Sequence, residues 1–236
     1  MYARYALLAG GAFFIFYIWR RRQNAWRKIQ SRDAKSSDVR RELTYSVIAT
    51  VILFLVVASI FATPLKDMSQ LYFDIDQYGW VWIFASVPIM LLIHDAYFYW
   101  MHRAIHHPKL YKHVHKVHHL SVNPTPWAAY AFHPLEAFLE VLIFPILIFL
   151  LPLHPISILT FAVLAIGYNV YGHLGYELYP RSWHNHPVGK WFNTGTYHNL
   201  HHERFDGNYG LYFTWWDRWM GTMREESSAR FEAVTR

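Results

Sequence analysis

The chain has 236 residues, 54% of them hydrophobic and 19% aromatic, with only 16% charged and a formal net charge of +6. A soluble globular domain carries about 25% charged residues, so the balance points away from that class and toward a membrane protein. Cysteine is absent, which excludes a disulfide framework, a thiolate metal site and a thiol nucleophile, so any metal must be held by nitrogen and oxygen.

Five apolar stretches follow one another along the chain. The first, 5–19, is short, has no small-x-small cleavage site and runs straight into Arg20, Arg21 and Arg22, which suits a retained anchor better than a signal peptide. Basic residues then crowd the segment up to Arg41, as in a cytoplasmic loop obeying the positive-inside bias. No nucleic-acid reading motif accompanies them, so nucleic acid is not an expected partner. The second stretch, 43–63, is nearly uncharged, stops at Pro64 and is long enough to span. Tryptophans bracket the third, 80–100, as an interfacial belt would, although it contains His94 and Asp95. The fourth and fifth, 135–151 and 156–171, are separated by Pro152, Leu153, His154 and Pro155 and read as a helical hairpin or a re-entrant pair. Linkers rich in Pro, Gly or Ser are missing, so a single membrane-embedded domain is expected. Its anchor and basic loop occupy 1–42, its helical core and histidine region 43–222, and its tail 223–236. If the basic loop is cytoplasmic, the successive crossings bring every histidine cluster to that same face and leave His154 on the far side.

The histidines carry the chemistry. His102 and His106 are spaced i, i+4; His115, His118 and His119 form His-x-x-His-His, and His198, His201 and His202 repeat it. On a helix, residues three and four apart share a face, so each group is expected to aim its imidazoles at one point. Eight imidazoles exceed the four ligands of a tetrahedral site, and two metals are the economical reading. Imidazole suits zinc, copper, iron and nickel alike. The rival reading is a non-haem metal-binding membrane protein such as a divalent-metal transporter, or a haem carrier; a transporter should spread ligands across the midplane of several helices, and a haem needs about two axial ligands.

Four stretches, 94–107, 110–136, 173–180 and 197–222, together resemble the fatty acid hydroxylase superfamily, in particular its sterol desaturase-like branch. The resemblance implies an all-α integral membrane bundle with a cytoplasmic histidine-rich cap. It also implies an enzyme that holds two iron ions, with zinc able to take their place in purified protein, and that uses dioxygen to hydroxylate or desaturate a lipid. Carried onto this chain, the family's box histidines are His102, His106, His115, His118, His119, His198, His201 and His202. His173, opening HLGYE, looks like a further ligand. His94 with Asp95 reads as a cavity pair near the metals, His133 as a residue that could line the site, and His186 as structural; Glu136, Glu177, Asp95 and Asp217 are expected to accept imidazole N–H groups. Asn208 is expected to face a metal-bound water. No electron-transfer domain is fused, so electrons should come from a separate cytochrome, ferredoxin or reductase, steered by Lys109, Lys112, Lys116 and Arg204. The compact chain favours a bacterial inner membrane over the endoplasmic reticulum.

Overall fold

The computed structural model describes residues 2–235; Met1 and Arg236, the ends of the expected anchor and tail, lie outside the described residues. These residues are helical, with β-pairing limited to isolated bridges. Four helical stretches are long and apolar enough to cross a membrane: Tyr2–Trp19, Ser36–Phe61, Gly79–Ile105 and Pro155–Gly172. The first is an α-helix, α1 (Tyr2–Phe13), that loosens into a π-helical turn before the arginines. The second, α2 (Ser36–Phe61), starts earlier than its apolar residues because Asp38 accepts from the Lys35 N–H and places a negative charge on the helix N-terminus. The third, α3 (Gly79–Ile105), continues about one and a half turns beyond Trp100 and so delivers His102 on a rigid element.

The expected fourth span is broken. It forms α6 (Pro134–Val141) and α7 (Ile143–Leu150), eight residues each, or about 12 Å of helix apiece against a hydrocarbon core of about 30 Å. Pro145 is the cause: it has no N–H for the Val141 carbonyl and its ring crowds that group. The re-entrant alternative therefore describes this segment better than a full hairpin arm, while α8 (Pro155–Gly172) is long enough to span.

Two ends of the bundle are tied differently. At one end the loop after α2 pairs with the turn before α8, through the Leu71 to Leu153 bridge and Gln70 N–H to the Ile148 carbonyl; His154 sits there, as expected. At the other end the basic segment lies directly on the histidine-bearing chain. Lys28 bridges Tyr176, Ile29 N–H donates to the Gly175 carbonyl, and the Gln30 amide donates to Asn199 at 2.9 Å. Gly175 has φ +75, and a Cβ there would lie 2.5 Å from the Tyr17 hydroxyl and 3.3 Å from the Pro124 carbonyl oxygen, so only glycine permits this close seating. Between the ends, Ile60, Val87, Met90, Ile143, Leu147, Ile148, Leu153 and Phe161 form the main apolar core.

Candidate metal centre

Nine imidazoles meet at the end of the bundle covered by the basic segment. His102, His106, His115, His119 and His201 form one group and His118, His173, His198 and His202 a second, the ligating nitrogens of each lying within 4.8 Å of one another. The groups adjoin, with the His119 and His202 rings 4.8 Å apart. All nine are buried except His106, which is half-buried.

Each triplet is divided between the groups. His115 and His119 join the first and His118 the second, whereas His198 and His202 join the second and His201 the first. The expectation that a triplet converges on a single point is thereby corrected, and helical geometry gives the reason. At about 100° per residue, positions i and i+4 lie about 40° apart, but i+3 falls on the opposite side of i, about 100° from i+4. Two such triplets face to face each lend a pair to one group and a single ring to the other.

The first triplet sits where α4 (Pro108–Val114) meets the single turn α5 (Lys116–His119), and the second lies on α9 (Gly195–Arg204). Apolar periodicity does not explain α9; its N-terminus is held instead. Thr194 caps Tyr197 N–H, and Glu177 accepts from both the backbone N–H and the hydroxyl of Thr196. His173 is the residue that ends α8.

The tautomers follow from the hydrogen bonds. Nδ1–H of His102 donates to the Tyr209 carbonyl at 2.9 Å, that of His201 to Gly207 at 2.7 Å, that of His173 to Asn169 at 2.8 Å, and that of His115 to the Glu136 carboxylate at 2.6 Å. Their Nε2 atoms therefore carry lone pairs. His102 Nε2 nevertheless stands 3.0 Å from His115 Nε2, and His173 Nε2 is 3.0 to 3.2 Å from those of His198, His202 and His118. Between His102 and His115 lone pair meets lone pair, which is not a hydrogen bond, and the single Nε2 lone pair of His173 can accept from only one of its three neighbours. Such separations match the nitrogen–nitrogen edges, about 3.0–3.4 Å, of ligands bound at 2.0–2.1 Å to a shared ion. His201 Nε2, buried and without any partner, is the same signal in its plainest form. The residues present fit two metal ions held by nitrogen.

Electrostatics agrees. Burial, and then the neighbouring imidazoles, push His115, His118, His119, His198, His201 and His202 well below the ordinary histidine range. Burial takes His173 down to about 4. All are neutral near pH 7, the form that binds metal.

Of the expected carboxylate acceptors only Glu136 takes an imidazole proton. Asp95 accepts from Tyr212 N–H, Phe213 N–H and the Trp215 indole; Asp217 accepts from Tyr209 N–H, Gly210 N–H and the Thr222 hydroxyl. These two hold the 207–215 loop, whose carbonyls at Gly207 and Tyr209 orient His201 and His102. Asn208, at φ 52, donates to the Tyr197 carbonyl and Ser227 and accepts from Arg224 N–H, so it locks the loop and does not face the imidazoles. His133 and His186, together with His107 and His154, share one local role: each precedes proline and its Nδ1 accepts from the N–H two residues on. His184 pairs with Glu232 at 2.8 Å, and His113 is exposed.

A mainly apolar cavity of about 430 Å³ lies beneath the imidazoles, between α2, α3, α6, α7 and α8. Phe98 and Phe132 separate it from the centre, their rings 4.9 Å from His102 and 5.2 Å from His118. His94 lines this cavity, as the sequence led one to expect, and Asp95 points away from it into the loop. A larger polar groove of about 670 Å³ between Lys28, Arg21 and Arg230 has no histidine in its wall.

Comparison with known proteins adds a family. The fatty acid hydroxylase model matches residues 87–222, more than half of the chain. The Delta(7)-sterol 5(6)-desaturase ERG3B of Gibberella zeae is 34% identical over 80% of this chain and 57% of its own length. Lathosterol oxidase of Rattus norvegicus is 37% identical, and that of Homo sapiens 34%, each over 81% of this chain and 63% of its own. The chain thus spans about 57–63% of the length of these relatives. No solved structure matches it significantly.

Proposed function

The chain belongs to the fatty acid hydroxylase family, and from that premise we propose that it is a membrane di-iron oxidoreductase acting with dioxygen on a lipid, most closely a sterol. The observation that carries this reading is the pair of adjoining groups of buried imidazoles whose Nε2 atoms converge to 3.0 Å of one another in each group. Two iron ions bound there would supply dioxygen activation and the removal of hydrogen from an unactivated C–H bond. The protein's residues would do the rest. His102, His106, His115, His119 and His201 hold one ion, and His118, His173, His198 and His202 the other. Glu136 and the carbonyls of Asn169, Gly207 and Tyr209 fix the rings. Phe98 and Phe132 keep bulk water from the centre while the cavity presents the lipid.

In hydroxylation one oxygen atom enters the C–H bond and the other leaves as water; in desaturation two hydrogens are removed and both oxygens leave as water. Either outcome consumes two electrons and two protons, which a separate cytochrome, ferredoxin or reductase would deliver at the basic end, where Lys109, Lys112, Lys116 and Arg204 are exposed. That end would face the cytoplasm by the positive-inside bias. The relatives compared are fungal and mammalian; they favour the endoplasmic reticulum and lend nothing to a bacterial inner membrane. A divalent-metal transporter would spread ligands across its helices, whereas these are gathered at one end.

The test is metal analysis with optical spectroscopy on the purified full chain, together with lipid mass profiles of cells with and without it. Two irons per chain, no haem band, and a lipid that gains one oxygen or loses two hydrogens are expected. A chain holding one metal or none, or an unchanged lipid profile, would refute the reading.

A further inference from the structure

The cavity beneath the imidazoles is polar at one end only. Along α8 its wall runs from Pro155 through Ile158, Ala162 and Ala165 to Asn169, one helical face about 21 Å long at 1.5 Å per residue. The end near Pro155 is lined by Leu71, Phe73, Val57 and Phe61, all apolar. Polar side chains enter the wall only toward the other end, at Glu140, His94, Arg4, Tyr130 and Asn169. Glu140 lies one turn along α6 from Glu136, which holds His115; His94 lies two turns along α3 from His102. Both therefore stand about 6–12 Å of helix rise from the centre.

Their hydrogen-bonding capacity is unspent. Glu140 makes no hydrogen bond or ion pair among the described residues, and the single bond of His94 is from Nδ1 to the Tyr212 hydroxyl at 2.9 Å, leaving Nε2 without a partner. A carboxyl group set in an apolar wall without a partner is costly, and natural proteins tolerate it where a ligand supplies the missing bond. A hydroxyl, which both donates and accepts, satisfies such a group in either protonation state.

Resting on the lipid reading above, we propose that Glu140 anchors a hydroxyl group of the substrate, so that the lipid binds with its polar end toward the histidines and its apolar end toward Leu71 and Phe73.

Binding to the metal-free full chain in detergent tests this without turnover. The probes are dehydroergosterol, an intrinsically fluorescent hydroxysterol read by energy transfer from tryptophan, and its methyl ether, in which the hydroxyl is blocked. The wild type is expected to bind the free sterol about tenfold or more tighter than the ether. Glu140→Leu should erase that preference by weakening the free sterol alone, while Glu140→Gln keeps most of it. Equal, tight binding of both probes by the wild type overturns the anchor and leaves the lipid reading standing, as does an undiminished preference in Glu140→Leu. If neither probe binds the wild type, the anchor and the sterol reading fall together.

Discussion

The Nδ1 proton of His115 is accepted by the buried carboxyl group of Glu136, the only side-chain acceptor among those that orient the nine imidazoles. Glu136→Gln keeps the shape but weakens that bond, and an about 10–100-fold loss of metal affinity is expected, measured by competition with a chelator. Truncating a ring itself is more severe. His118→Ala and His201→Ala, one from each group, are both expected to lose nearly all turnover with the helical content retained; full turnover in either would exclude its ligand role. Burial also sets a pH dependence. For His173, pushed down to about 4 from 6.5, the unfolded chain takes up a proton first as the pH falls, so stability is complete above about 6.5 and is lost progressively toward 4. Thermal unfolding of the metal-free protein should accordingly be flat between pH 7 and 8 and shift to lower temperature below 6.5. Eight of the nine rings were legible in the sequence from their spacing, and His173 only through the family resemblance. Three of the four acceptors that orient them are backbone carbonyls, which any residue could offer, and no spacing marks them.

Asp95 joins two elements that the sequence keeps apart, α3 and the 207–215 loop, through three hydrogen bonds. Asp95→Ala strands two backbone N–H groups and an indole N–H, and a loss of about 2–4 kcal/mol is expected. Thermal unfolding would register it, and faster hydrogen exchange at residues 209–215 would locate it. Spans and box helices were foreseeable here because their signals are local, a run of apolar residues or a repeated spacing. Where a local signal was outvoted, the cause is nameable. Pro145 broke an otherwise uniform apolar run, and α9, whose residues are mostly polar, became one of the most buried helices because Glu177 and Thr194 fix its start and the imidazoles line its inner side. The four His-Pro pairs are the opposite lesson, since a residue type prized for metal binding was serving as a helix or turn cap.

At the scale of the whole molecule, the cavity and the imidazoles form a path from the apolar interior to the basic end. Ala162→Trp, on the cavity face of α8, should fill that path. Turnover is expected to fall about tenfold or more with iron content unchanged, which distinguishes obstruction of the substrate from damage to the centre. Apart from His94, the cavity and its polar end were not visible in the sequence, since they arise from six helices that contribute a few residues each. The seating of residues 27–30 on Gly175, Tyr176 and Asn199 has a practical meaning for anyone trimming the polypeptide. The family match begins at Val87, yet residues that seat against the histidine-bearing chain lie in the first thirty positions, so a fragment cut to 87–222 would leave its nitrogen cage open to the aqueous phase.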